Sequence, residues 1–143
     1  MFSRNAIKER VKALKWITHL VTAFCFIFIL SSYIPISYLG FMVALVASII
    51  PDYFERVAGV RHRSVYFHNW VIPLATLILI ADPTFAGIPL GYGHHLALDS
   101  LTKKGVYIGS KKRVKGFLYS TNLAHNAIVV LIHYLVLMLF LTF

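Results

Sequence analysis

The sequence predicts an all-α, polytopic transmembrane helical bundle, and three observations support that fold class. Hydrophobic residues make up 59% of the 143 residues and charged residues only 13%, whereas a soluble domain usually carries about 25% charge. The apolar residues form long uncharged runs, as membrane helices do. These runs lack the sustained alternation of strands, and a membrane barrel needs many more of them. We therefore expect one domain, residues 1–143, with about four to five membrane helices.

The apolar runs follow a basic lead-in at residues 1–15, which we expect to be amphipathic and cytoplasmic. The predicted helices cover residues 17–34, 41–50, 67–80, 85–101 and 117–143, with prolines at breaks between them. The second, third and fourth runs are shorter than the roughly 20 residues that cross a bilayer. They either cross where the bilayer is thin or pack as a partly buried hairpin.

All 14 lysines and arginines fall into three clusters: before the first predicted helix, between the second and third, and between the fourth and fifth. With five crossings these clusters share one side, which the positive-inside rule makes cytoplasmic. We therefore expect an inner-membrane protein with a cytoplasmic N-terminus and a C-terminus on the far side. The basic loops should contact anionic lipid headgroups, and the net charge of +9 requires no nucleic acid partner. The sequence carries no signal for an oligomeric state.

Histidines and aspartates recur at the cytoplasmic ends of the predicted helices, although polar groups are costly inside a bilayer. His95 and Asp99 are four residues apart and share one helix face. Imidazole nitrogen and carboxylate oxygen both bind Zn²⁺, so the pattern predicts a site for a divalent ion, zinc above all, with one or two ions bound. The alternative is that these side chains only line the membrane interface, cap helices or pair with arginine. The residues at this level are His19, Asp52, His62, His68, His95 and Asp99.

The order and spacing of these residues resemble a known family. The chain contains Thr18-His19, Ile50-Pro51-Asp52, His62-Arg63 followed by His68, and a glycine-flanked segment, residues 91–105, that reads GYGHHLALDSLTKKG. This succession resembles the prokaryotic YdjM-like proteins, which are membrane-bound metal-dependent hydrolases. Those proteins are distantly similar to the zinc-dependent phospholipase C and P1 nuclease group. The resemblance implies the metal ligands His19, Asp52, His62, His68, His95 and Asp99.

The chain departs from that family pattern at three places. Phe54 stands where the family often has a second aspartate, and His94 replaces a serine. One extra residue separates His62 from His68, and the threonine and serine of that family motif are absent. A ligand supplied by the second aspartate is therefore missing from the pattern.

The sequence thus predicts a membrane-embedded, metal-dependent hydrolase that acts at the cytoplasmic face on a phosphoester or lipid substrate. The expected catalytic residues are Asp99 and Arg63, whose planar guanidinium matches phosphate. The alternative is a non-enzymatic membrane protein that uses the same His/Asp cluster for ion handling or assembly. A transporter would need a polar path through the far half of the membrane, where the sequence offers only Asp82 and the stripe that contains His133.

Overall fold

The computed structural model describes residues 4–143, with side chains from Lys15 onward, and this part of the chain is mostly helical, as predicted. The basic lead-in falls at the start of the first helix, but its side chains before Lys15 and all of residues 1–3 lie outside the described residues. The helices are α1 (Arg4–Leu30), α2 (Tyr38–Ala47), α3 (Ile50–Val57), α4 (Val71–Ala75), a 3₁₀ helix (Leu77–Ala81), α5 (Gly87–Ser100) and α6 (Leu123–Thr142).

The predicted number of membrane helices is wrong. Among the described residues, α6 alone is long and apolar enough to cross a bilayer, and α2 with α3 adds a second span only if the 50° bend between them lies within one span. The apolar part of α1, Lys15–Leu30, is shorter than a span. The predicted helix at residues 67–80 is broken: α4 ends at Ala75, and a 3₁₀ helix begins at Leu77.

The basic segment between α5 and α6 contains strands, which were not expected from the sequence. β1 (Val106–Ile108) and β2 (Lys112–Val114) form an antiparallel hairpin, and Gly105 and Gly109 adopt φ angles of 65° and 66° that suit glycine. Strands of three residues are too short for a pattern to identify. The free edge of β1 binds the chain before α4: Tyr107 N–H donates to the His68 carbonyl, and Trp70 N–H donates to the Tyr107 carbonyl. The hairpin therefore holds the backbone of His68.

The closest helix packing in the described chain joins α5 to α2. Gly87 and Gly91 are one helical turn apart, and a Cβ atom on either residue would collide with backbone atoms of Gly40 or Ala44. Small residues allow this backbone approach in membrane helix pairs. Residues 95 and 99 continue the same stripe at four-residue intervals. The glycines therefore set how close this face of α5 comes to α2 and to the start of α3.

We predict that Gly91→Ala destabilises the protein, because the new methyl group must push α5 away from Ala44. Overpacking of this kind costs about 1–3 kcal/mol, which thermal unfolding in detergent, followed by circular dichroism, would detect. Gly93→Ala is the matched control, since its Cβ would lie 3.8 Å from Pro73, an ordinary contact. Alanine favours a helix over glycine, so this variant should be neutral or more stable. Equal stability of the two variants would contradict the described packing.

Candidate metal centre

Five of the six predicted ligands converge in the structure. The His/Asp cluster consists of His19 from α1, Asp52 from α3, His68 from the loop before α4, and His95 and Asp99 from α5. One ligand atom from each of the last four lies within 4.8 Å of the others. His19 joins them through its ring, which stacks on His95 with centroids 4.1 Å apart, and its Nε2 lies 3.7 Å from Asp99 Oδ1.

The rings of His68 and His95 are held through their Nδ1 atoms. His95 Nδ1 donates to the Ser48 carbonyl at 2.7 Å, and His68 Nδ1 donates to the Glu55 carboxylate at 2.8 Å. Carbonyl and carboxylate oxygens only accept, so each Nδ1 carries a proton. The two Nε2 atoms face each other 3.2 Å apart. Metal-binding histidines typically show this arrangement, with the second ring nitrogen bonded to a carbonyl or carboxylate.

The separations between ligand atoms suit one small divalent ion. Asp99 Oδ2 lies 3.2 Å from His68 Nε2 and 3.6 Å from His95 Nε2. Asp52 Oδ1 lies 3.3 Å from His68 Nε2. Ligand atoms about 2.0–2.1 Å from a tetrahedral zinc ion are about 3.4 Å apart. In addition, Asp52 Oδ1, Asp99 Oδ2 and His19 Nδ1 are buried without a hydrogen-bond partner among the described atoms, which is rare for buried polar groups. The residues present therefore fit a divalent metal ion.

The charges in and around the cluster also favour the binding of a cation. Burial lowers the pKa of His68, but the adjacent carboxylates of Asp52, Asp99 and Glu55 outweigh burial and raise that pKa to about 10. The three carboxylate side chains are each less than a tenth exposed, and Arg63 is the buried guanidinium that opposes them. A histidine must be neutral to bind a metal. With His68 neutral, the three carboxylates and Arg63 leave a net formal charge of minus two, which a divalent ion would neutralise.

Arg63 is paired with Asp99. Its side chain is 2% exposed, and its Nη2 donates to Asp99 Oδ1 at 2.6 Å. Its Nη1 donates to the Thr102 hydroxyl, and its carbonyl accepts a hydrogen bond from Arg113. Its φ angle of 61° is uncommon for a residue other than glycine. The guanidinium thus occupies Oδ1 of Asp99 and leaves Oδ2 directed at the histidines.

Glu55 belongs to the site, although it was not among the predicted residues. Its carboxylate is 2% exposed and lies beside the ligands. The sequence signal was its place three residues after Asp52, which puts both side chains on one helix face. The residue that stands at the family's second aspartate position, Phe54, is exposed instead. The four groups that donate to Glu55 are the backbone N–H groups of Arg63 and Ser64 and the rings of His62 and His68.

The sixth predicted ligand, His62, lies beside the cluster. Its Nδ1 is 3.1 Å from Glu55 Oε2 and 3.5 Å from Asp52 Oδ1, and its side chain is 36% exposed. With these two carboxylates it forms a second group whose ligand atoms lie within 4.8 Å of one another. Asp52 is common to both groups, so any second ion would be close to the first.

The remaining histidines described by the structure do not join the cluster. His94 Nε2 lies 3.2 Å from the Thr22 hydroxyl, and its ring stacks on Phe26. His133 meets the edge of His94 with ring centroids 5.4 Å apart. His125 Nδ1 accepts a hydrogen bond from the Tyr119 N–H. Adjacent helix positions point about 100° apart, which explains why His94 faces α1 and α6 while its neighbour faces the cluster.

Comparison with known proteins gives no family assignment: no protein-family model, curated protein or solved structure matches the chain. The resemblance to the YdjM-like proteins therefore stays a prediction from the motifs quoted above. The fold and the site nevertheless define a structural class. The chain is a mostly helical protein with a buried His/Asp cluster whose geometry fits a divalent metal ion.

We predict that Glu55→Gln weakens metal binding about 10- to 100-fold, as loss of a carboxylate behind a ligating histidine typically does. The amide nitrogen would point a donor at groups that already donate, so His68 would lose its fixed orientation. A competition titration of zinc against a chromogenic chelator measures the change. Asp82→Asn is the control, because this exposed carboxylate only accepts from the N–H groups of Thr84 and Phe85. Unchanged zinc affinity in Glu55→Gln would remove Glu55 from the site.

Proposed function

We propose that this protein is a membrane-embedded, metal-dependent hydrolase whose site opens at the cytoplasmic face of the inner membrane. The observation that carries the proposal is the His/Asp cluster. Two imidazoles with fixed Nδ1 partners and two carboxylates direct their free atoms at one point, at separations suited to zinc. The metal ligands in this proposal are His19, Asp52, His68, His95 and Asp99, with His62 at the second group.

A membrane setting is supported by α6. Its leucines 131, 135 and 139 are about half exposed, and the long helix has almost no buried residues. Soluble monomers rarely expose apolar patches of more than a few hundred Å², whereas lipid removes the cost of such a surface. α1 packs along α6, and its outward phenylalanines Phe24 and Phe28 are also exposed. We therefore assign α6 as a membrane span with α1 beside it.

The orientation is supported by the two ends of the fold. Two connections lack basic residues: the one before α2 and the one before α5. They contact each other, because Ser37 N–H donates to the Pro83 carbonyl and the Ser37 and Thr84 hydroxyls form a hydrogen bond. The basic segments gather at the other end, where Arg113 bonds the Arg63 carbonyl. The cavity beside the His/Asp cluster is lined by Asn126, which lies in the first turns of α6, just after a basic segment. The cluster therefore lies at the basic end. The positive-inside rule makes that end cytoplasmic.

We predict the same orientation for fusion reporters. A reporter inserted in the hairpin turn between Ser110 and Lys111, which are both exposed, should be cytoplasmic. A reporter fused after Phe143 should be on the far side, because α6 lies between the two points. Alkaline phosphatase and green fluorescent protein fusions would measure both. Signals from the same compartment would contradict the assignment of α6 as a span.

Three of the ligands in this proposal are each positioned by a residue behind them. Glu55 orients His68, the Ser48 carbonyl orients His95, and Arg63 orients Asp99. A divalent ion held there would supply Lewis acidity, which activates water and polarises a phosphoryl or acyl oxygen. Arg63 thus acts through Asp99 as a positioning residue, and Asp99 would hold the ion through Oδ2. Because the site is small and lies at the basic end near headgroup depth, we propose a phosphoester substrate, carried on a lipid.

Metal content and activity test the proposal. Detergent-purified protein should hold a stoichiometric transition metal by elemental analysis and hydrolyse a chromogenic phosphoester. Asp99→Asn and His95→Ala should each lose most of the metal and all of the activity, because the first removes the carboxylate charge and the second removes the Nε2 atom that would face the ion. His133→Ala is the control and should keep the metal, since this ring bonds only the Val129 carbonyl and contacts His94.

Two results would overturn the proposal. Wild-type protein without metal after incubation with zinc, manganese or iron would favour the non-enzymatic alternative, in which the cluster serves ion handling or assembly. Full metal content in Asp99→Asn would show that the carboxylate charge is not needed, and the site would then be an interhelical contact.

A further inference from the structure

A cavity of about 300 Å³ opens beside the His/Asp cluster. Asp52 and His62 line its inner part, so the cavity reaches the candidate metal ligands. Two cationic side chains line it as well: Lys15 from α1 and Arg56 from α3. Pockets that bind small molecules start at about this size. The cavity is therefore the space in which a substrate group would meet the metal centre.

Lys15 also lines a second, smaller cavity. The smaller cavity, of about 30 Å³, is lined by Lys15 together with His19, Arg63 and Asp99 on the other side of the cluster. Asp52 also lines both spaces. A group that enters from either side therefore meets the Lys15 side chain next to a ligand of the cluster.

The described part of the fold pairs neither Lys15 nor Arg56 with a carboxylate. Among the described side chains, no carboxylate forms an ion pair within 4.0 Å of either cation, and the nearby carboxylates contact Arg63 and the histidines instead. The Arg56 guanidinium lies over the Trp16 ring, 4.6 Å from its centroid. Stacking of this kind fixes the plane of the guanidinium and leaves its N–H donors at the edge free. Arg56 is therefore held in place with its donors available.

The charge balance indicates what these donors bind. A divalent ion would neutralise the net charge of minus two at the carboxylates and Arg63, and the cavity would then keep two unpaired positive charges from Lys15 and Arg56. A phosphate group carries up to two negative charges and accepts the forked donors of arginine. We propose that Lys15 and Arg56 form a binding site for the phosphate group of the substrate. This inference rests on the proposed function and names the group by which the substrate is recognised.

Binding of inorganic phosphate to the detergent-purified full chain tests the site, by equilibrium dialysis with labelled phosphate and by fluorescence of Trp16, with and without zinc. Lys15→Gln and Arg56→Gln should each weaken binding about tenfold, the usual loss for one charge-assisted hydrogen bond. Lys15→Arg should keep most of the affinity, which separates charge from fold. Metal content should be unchanged in all three variants.

Matched controls come from exposed cations that line neither cavity. Arg61→Gln in the loop after α3 and Lys111→Gln in the hairpin change the net charge equally and should leave phosphate affinity unchanged. Equal weakening in these controls would mean that only the overall charge matters, and would overturn the proposal. Unchanged phosphate binding in both Lys15→Gln and Arg56→Gln would overturn it as well.

The same samples separate this inference from the hydrolase proposal. If the wild type holds metal but its phosphate binding ignores Lys15 and Arg56, the phosphate site is wrong and the metal site stands. If the wild type takes up no metal but phosphate binding depends on both cations, the phosphate site stands and the hydrolase proposal fails.

The source of the phosphate is decided by competition. Phosphatidic acid in mixed micelles should displace labelled phosphate at a lower concentration than glycerol phosphate if the group belongs to a lipid. Equal displacement by the two would assign a soluble phosphoester, and it would still support the site. Phosphatidylcholine micelles are the control for detergent effects. Displacement by neither phosphoester would overturn the proposal.

Discussion

The carboxylate of Glu55 is the interaction on which the rest of the site depends. It accepts hydrogen bonds from two successive backbone N–H groups and from two imidazole rings, and so joins α3 to the loop that carries His62 and His68. Burying a carboxylate is costly unless its oxygens are hydrogen-bonded. Because all of these partners come from residues 62–68, the loop can take only one path past α3. That path brings His68 to Asp52 and brings Arg63 to Asp99.

The pair of Arg63 and Asp99 shows how this site tolerates buried charge. Breaking such a pair leaves one charge alone in a medium of low dielectric constant, at a cost of about 3–5 kcal/mol. The pair therefore locks Asp99 in one rotamer, whatever else binds there. The Glu55 carboxylate, in turn, stabilises the left-handed backbone at Arg63, because its oxygens accept hydrogen bonds from the N–H groups of Arg63 and Ser64.

The sequence predicted the helical class and the convergence of His19, Asp52, His68, His95 and Asp99. The helical class follows from the long uncharged apolar runs. The convergence follows from two local signals: residues four apart share a helix face, and polar residues at equivalent helix ends fall at one depth in the membrane. The number of spans could not be predicted, because hydropathy averages over polar turns. α1 ends at Leu30 and α4 ends at Ala75, both inside apolar runs. Glu55 was missed because its role depends on a loop that folds back from Val60 onward, and no periodic pattern encodes such a path.

The hairpin between α5 and α6 couples the protein surface to the His/Asp cluster. One edge of β1 pairs with β2, which carries Lys112 and Arg113, and its other edge is bonded to His68 and Trp70. Asn69 closes the same connection through its side chain, which bonds both the N–H and the carbonyl of Gly109. A displacement of the basic turn is thus transmitted to the His68 backbone through the hydrogen bonds of Tyr107. A surface that binds the hairpin would therefore act on the position of His68 without contacting the cluster itself.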